Sequence, residues 1–356
     1  MKRKRTRKIK VLNVILAVLF VIIAIGGIYF VNIYSKLNHK ELKKEDLGIT
    51  SQAMTDDKND TSITNIALFG VDKRDNETKF RSDSIIVLSV DKQHNKIKLS
   101  SIMRDSLVKI EGHDQYKINQ AYYYGGPQLA VKTLNQNFGL NIQEYATVNF
   151  QQMAQIIEAV GGVEVDVSEI ERVETNKYIW EQSLVANLNV VNIEKPGLQT
   201  LNGTQAVAYA RIRHVGNGDF ERTDRQREVL HQIFNKALKM NKLQYPEFAR
   251  KLLPTIETSL SFGEIVDLGS IMLRDVTFEE ARFPRNEDLI GNGVIWVNSS
   301  TQCLNLDVKA TGERIKDFIY NDINPEKVVI KKTESQTSSK TTNRTTNKTS
   351  SRTTNK

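Results

Sequence analysis

Residues 11 to 31, VLNVILAVLFVIIAIGGIYFV, form an apolar run of 21 residues with no charge and only Asn13 as a strongly polar side chain. That length suffices to cross a bilayer. No small-residue cleavage site follows; the run passes into FVNIYSKLNHK, which predicts an uncleaved signal anchor over 11–34 rather than a removable leader. Further on the pattern changes period. ITNIALFGVD (63–72) and SIIVLSVD (84–91) are nearly continuous apolar segments of strand length and predict buried central strands. DKQHNK turns into IKLSSIMRD, a third strand expected to pair with the second. Pro127 can open a helix over PQLAVKTLNQNFG, which Gly139 ends. Strand EYATVNF, helix FQQMAQIIEAV closed by Gly161 and Gly162, and the strictly alternating strand VEVDV follow. Thr223 and Gln226 form a capping-box pattern ahead of Val229, Leu230, Ile233, Phe234, Ala237 and Leu238, so another helix is expected to begin near Thr223. Strands and helices mixed in this way predict an α/β sheet covered on both faces.

Polar composition sets the limits. Residues 35–62 are expected as an extracellular stalk, 63–330 as one α/β domain and 331–356, with its repeated KTTN and RTTN units, as a disordered tail. The formal net charge of +8 resides at the ends: residues 1–10 carry +7, the last 26 from Lys331 carry +6, and 11–330 carry −5. The basic start therefore marks a short cytoplasmic segment, with everything after the anchor outside the cell membrane. This topology leaves no basic surface facing nucleic acid. Lone Cys303 cannot form an internal disulfide and is expected as a small buried residue.

The chemistry gathers at predicted strand ends, where α/β sheets bind ligands. GVDKR supplies Asp72 and Arg74, RSDS supplies Arg81 and Asp83, and MRD supplies Arg104 and Asp105. YARIRHVGNGDFERTDRQREVL adds Arg211, Arg213, Arg222, Arg225 and Arg227. Two hard carboxylates can hold Mg²⁺ (or Mn²⁺), and the arginine fork matches phosphate oxygens. Spacing alone also allows a salt-bridged helix: Glu221 and Arg225 stand at i,i+4, Asp224 and Arg227 at i,i+3. Arg227 is expected to be only a surface charge. An extended backbone would aim Arg211 and Arg213 to one face. No P-loop, HExxH or GxSxG occurs.

In order along the chain, GVDKR, RSDS, SIMRD, KINQAYYYGG, VNF with the helix and GGVEVDV, LNGTQAVAYARIRH and GDFERTDRQR resemble the LytR-CpsA-Psr family of membrane-anchored cell-wall glycopolymer transferases. The match covers about residues 63 to 240; SIMRD has methionine where the family commonly has proline, and the loop from Arg213 to Asp219 varies in length among members. The resemblance implies a three-layer αβα sandwich with a central mixed β-sheet, preceded by one transmembrane helix, with a polyprenyl chain held between sheet and helices. It implies transfer of an anionic glycopolymer (teichoic acid, capsule or related polysaccharide) from undecaprenyl pyrophosphate to a muramic-acid hydroxyl of peptidoglycan. By motif, Asp72 and Asp83 would hold Mg²⁺; Arg81, Arg104, Arg211, Arg213, Arg222 and Arg225 would bind pyrophosphate; Arg104, Arg222 and Asp219 would be catalytic. Asp219 would orient an arginine or take the acceptor proton. Polyprenyl pyrophosphate hydrolysis at the same residues, or a non-catalytic wall-polymer tether, are the alternatives.

Overall fold

The computed structural model describes residues 37–51, 53, 63–73, 78–186, 191–216 and 218–326. The expected cytoplasmic segment, the membrane anchor, Arg74 and the C-terminal tail lie outside these residues. Among the described residues no helix is long and apolar enough to cross a membrane.

The strands, in chain order, are β1 (Asn38–His39), β2 (Ile63–Val71), β3 (Ser82–Asp91), β4 (Lys96–Ile102), β5 (Leu107–Lys109), β6 (Gln115–Lys117), β7 (Ile142–Asn149), β8 (Val163–Val167), β9 (Gly197–Leu201), β10 (Glu257–Thr258), β11 (Thr277–Phe283), β12 (Leu289–Val297) and β13 (Thr301–Leu306). The helices are α1 (Gln120–Phe138), α2 (Phe150–Ala159), α3 (Glu169–Ala186), α4 (Gly203–Tyr209), α5 (Asp219–Lys239), α6 (Tyr245–Leu252), α7 (Phe262–Gly269) and α8 (Val308–Tyr320).

Seven strands form the central sheet in the order β1-β10-β7-β2-β3-β4-β11. It is mixed: β2 runs parallel to β7 and antiparallel to β3, while β4 pairs antiparallel with β3 and parallel with β11. Alternation along the strands divides the core. Ala67, Phe69 and Val71 of β2, with Ile85 and Val87 of β3, pack under α1 and α8. Leu88 and Val90 face the other way, toward Ile271 and Leu268 after and within α7, and α2, α4 and α5 build a further cluster on Val148 of β7. Helices therefore cover both faces, as the mixed pattern predicted.

Local chemistry explains most element ends. Asn149 and Gln152 form a reciprocal capping box that starts α2, and Asp91 turns the β3–β4 hairpin by accepting from Gln93 N and His94 N. Strand VEVDV keeps its alternation but pairs with β9 in a separate two-stranded sheet, because its inner valines serve the α2–α4 cluster rather than the central sheet. Cys303 is a free, buried thiol in β13, pushed up from its ordinary range by burial.

Three expectations need correction. The segment 37–51 is no free stalk: β1 adds to the sheet edge beside β10, and Leu42 and Leu47 are buried in the main core. Helix α5 begins at Asp219, a full turn before the Thr223 pattern, because Gly218 at φ 68° lets the chain turn into the helix early. Residues 210–213 are not extended; the backbone N–H groups of Ala210, Arg211 and Ile212 donate to the carbonyls of Ala206, Ala208 and Tyr209 and continue a helical turn after α4.

At the far end of β4, fully buried Lys98 donates to the carbonyls of Phe318 (2.9 Å) and Ile319 (2.6 Å) in the last turn of α8 and pairs with Asp322 (2.6 Å). Burial pushes the Asp322 carboxyl up, but hydrogen bonds from Lys96 and Lys98 outweigh it and hold the group at about 2. A depressed carboxylate stabilises the fold fully above its unfolded value of about 3.9 and loses that contribution as pH falls toward 2. Thermal melts of the protein and Asp322→Asn should therefore differ above pH 4 and converge as pH approaches 2; parallel curves would remove the linkage.

Candidate functional site

Because β2 and β4 both run against β3, the C-terminal ends of β2 and β4 and the start of β3 lie together at one end of the strands. A cleft of about 710 Å³ opens there, lined by Asp72, Arg81, Asp83, Arg104 and Arg213 among the sequence-expected residues. Its wall presents five cationic side chains, including Lys79 and Lys117, against three carboxylates, so an anion is the favoured occupant.

A backbone irregularity aims the central carboxylate. Gly70 pairs with Ser84 and Val71 with Ser82, leaving Asp83 as the extra residue of a β-bulge. Such a bulge redirects one side chain without disturbing the alternation on either side. Asp83 becomes a hub: Arg104 Nη1 lies 2.5 Å from its Oδ1, Arg213 Nη2 3.8 Å from its Oδ2, and Arg222 Nη2 donates to its backbone carbonyl at 3.1 Å. These three arginines arrive from the end of β4, the turn after α4 and the first turn of α5. Arg81 Nε donates to Gln120 Oε1 at 2.6 Å, and its guanidinium stands 5.6 Å from the Tyr123 ring. Arg222 is 3% exposed and sits where the α5 N-terminus already favours negative charge.

The other arginines go elsewhere. Arg211 and Arg213 are divided by fully buried Ile212, and residues two apart in a helical turn do not share a face. Arg211 stacks on Phe150 (4.4 Å) and Tyr178 (5.5 Å) and edges a small apolar cavity of about 70 Å³ between the sheet and helices α2, α4 and α5. Arg225, displaced into the second turn by the early start of α5, is buried and salt-bridged to Glu171 (2.8 Å) and Glu221 (3.2 Å), away from the cleft. Burial pushes Glu171 up, but hydrogen bonds from Ser168 and Arg225 more than offset this and hold it below the ordinary range. Arg227 is no surface charge: it is 8% exposed and lies between Asp224 (2.7 Å) and Glu326 (2.9 Å). Asp219 opens α5, and its side chain lies outside the described atoms.

Several cleft residues carried no chemical signal in the sequence. Lys117 pairs with Asp105 at 2.8 Å, and Arg104 Nε lies 3.8 Å from the same carboxylate. Asn119 is 4% exposed, and its Oδ1 meets no donor among the described residues. Asp72 likewise has no hydrogen-bond or ion-pair partner among them. Asp72 and the Asn119 oxygen are oxygen donors of the kind a hard divalent cation takes, while the Asp83 carboxylate is engaged by Arg104 and Arg213; among the described residues no group of three or more His, Cys, Asp or Glu side chains stands together to hold a metal ion. Lys117, Asn119 and Gln120 all fall in KINQAYYYGG, whose position in the motif order was the only signal that could have found them.

Comparison with known proteins agrees with this architecture. Residues 28–311 match the LytR_cpsA_psr family. A protein of Oceanobacillus iheyensis named polyisoprenyl-teichoic acid--peptidoglycan teichoic acid transferase TagU is 28% identical over 328 residues, covering 88% of this chain and 89% of that protein. The regulatory protein MsrR of Staphylococcus aureus is 31% identical over 272 residues, covering 74% and 76% respectively. Among solved structures, the LytR-CPS2A-psr family protein YwtF (TagT) with bound octaprenyl pyrophosphate lipid superposes with a TM-score of 0.56 at 22% identity, covering 80% of this chain and 99% of that one.

Proposed function

This chain belongs to the LytR-CpsA-Psr family, and from that membership we propose that it transfers an anionic glycopolymer from an undecaprenyl pyrophosphate carrier to a muramic-acid hydroxyl of peptidoglycan. The observation that carries the proposal is the bulged Asp83 on the wall of a cationic cleft, with Arg104 and Arg213 at its carboxylate and buried Arg222 at its backbone carbonyl. The TagU relative bears a transferase name, and the TagT structure carries a polyprenyl pyrophosphate; both support the same reading.

In this reaction the acceptor hydroxyl attacks the phosphorus next to the glycan, the P–O–P bond breaks, and undecaprenyl phosphate leaves with its electron pair. Arg81, Arg104, Arg213 and Arg222 offset the charge that grows on the leaving phosphate. Asp72, Asp83 and the Asn119 oxygen would hold Mg²⁺ or Mn²⁺, which supplies further neutralisation of the pyrophosphate. The polyprenyl chain would enter beside Arg211, where the apolar cavity must widen between the sheet and α2, α4 and α5. Arg225 is not part of this set, since two carboxylates already hold it. Asp219 would receive the acceptor proton or orient an arginine. An N-terminal membrane anchor with the domain outside the cell places the cleft beside its lipid carrier.

The test incubates the full-length protein in detergent with a lipid pyrophosphate-linked glycan, peptidoglycan oligomers and Mg²⁺. Glycan attached to peptidoglycan, lost on chelation and in Asp72→Ala, is the expected result. Hydrolysis with acceptor present, or no reaction with folded protein, would sink the transferase reading.

A further inference from the structure

The segment between α5 and β10 differs in charge from the domain that carries it. Residues 236–254, KALKMNKLQYPEFARKLLP, hold five bases and one acid, whereas residues 11–330 as a whole carry −5. Basic and apolar positions interleave there, the pattern of a segment that lies at a boundary between lipid and water. The fold leaves it uncovered. Leu243, in the short 3₁₀ turn Lys242–Gln244 ahead of α6, is 86% exposed, and no residue of that turn or of α6 is buried. The Lys242 ammonium donates to the Leu273 carbonyl at 2.8 Å, which sets Leu273, itself an exposed leucine, beside the turn. Lys239 closes α5 just before, and Arg250 and Lys251 stand exposed on α6. Glu247, the single acid of the segment, pairs with Arg250 at 2.6 Å and lies 3.9 Å from Lys251.

Position supplies a second argument. Helix α6 runs through the turn Leu253–Thr255 into β10, whose Glu257 and Thr258 pair with Asn38 and His39 of β1. Since β1 follows the expected anchor in sequence, the basic segment is tied to the part of the domain that stands nearest the bilayer in the membrane-anchored reading. On its inner side α6 packs against α2, and α2 is a wall of the small apolar cavity beside Arg211.

We propose that this segment is a membrane-docking surface: Leu243 and Leu273 enter the bilayer interface, and Lys239, Lys242, Arg250 and Lys251 take the phosphates of anionic phospholipids. It rests on the membrane-anchored reading and adds to it a contact made by the folded domain itself. Exposed aliphatic side chains are favoured to leave water, and the basic frame around them selects a negative surface. A soluble polyanion would engage the cations and leave both leucines in water, so a bilayer is the occupant that uses the whole patch. Docking in this way fixes the orientation of the domain, with the α2 side of the apolar cavity held at the lipid rather than free to turn about the anchor.

Full-length protein carrying Leu243→Trp, a change at an exposed position, is reconstituted into vesicles of brominated phosphatidylglycerol and of brominated phosphatidylcholine. Its tryptophan quenching is compared with that of the unsubstituted protein, whose exposed Trp180 and Trp296 report other faces. Extra quenching is expected with phosphatidylglycerol, and less with phosphatidylcholine or at high salt. Adding Lys251→Ala should lower the ratio of docked to free domain about fivefold. Quenching no greater than that of the unsubstituted protein overturns the proposal, as does quenching equal in the two lipids and indifferent to Lys251→Ala. Alkaline extraction of the same vesicles tests the anchor separately. Protein that resists extraction without extra quenching keeps its anchor and loses the docking surface; protein that washes off, yet was quenched on phosphatidylglycerol beforehand, loses the anchor and keeps the surface.

Discussion

Replacing Arg222 with alanine is expected to cut glycopolymer transfer by about 10²- to 10³-fold while the protein remains folded. Arg222 does not itself line the cleft, but it is bonded to Asp83, which does. It enters from the first turn of α5, is 3% exposed, and is positioned by its bond to the Asp83 carbonyl. A donor already fixed in a site shielded from water acts at the transition state without reorganising, and the helix dipole adds to it. Arg222→Lys keeps the charge but loses the planar fork that holds the Asp83 carbonyl, so an intermediate rate is expected. The assay is initial transfer rate alongside circular dichroism and a thermal melt. A folded Arg222→Ala protein working at full rate would remove Arg222 from the machinery.

Lys98→Met is expected to cost about 3 kcal/mol of stability. The methionine chain fills similar space, so the loss comes from polar groups rather than a cavity. Phe318 and Ile319 carbonyls lie in the last turn of α8, where no intrahelical donor exists, and Lys98 satisfies both while its charge complements the helix end. Leaving buried carbonyls unpaired carries a penalty of about 1–3 kcal/mol each, softened where the helix end can admit water. Urea titration of the two proteins measures the difference; a loss below about 1 kcal/mol would mean that water replaces the ammonium.

Lys98 also shows what a sequence pattern conceals. In IKLSSI it reads as an ordinary polar position, yet it is 1% exposed because the end of α8, more than two hundred residues later, lies over it. The central strands were legible because burial on both faces demands unbroken apolar runs, and α2 was legible through its cap and closing glycines. Pairing was less so. VEVDV has the alternation of a sheet strand, but nothing local says which sheet. In the site, Asp72, Arg81, Asp83, Arg104, Arg213 and Arg222 were visible as charges at strand and helix ends. The bulge that turns Asp83 outward was not, since it depends on a mismatch with β2 across the hairpin. Arg211 and Arg225 lie away from the cleft for one reason: a side chain's direction depends on local backbone, and one turn of helix or one bent segment sends it to another partner.

The edge strand β1 also sets the reach of the enzyme. In the membrane-anchored reading proposed above, the anchor over 11–34 ends at residue 34, and Asn38 is already paired with Glu257. Three residues, fully extended, cover roughly 10 Å. The domain is then not a sampler of the wall on a long leash but a body held close to the bilayer, and in that reading only partners near the membrane come within its reach.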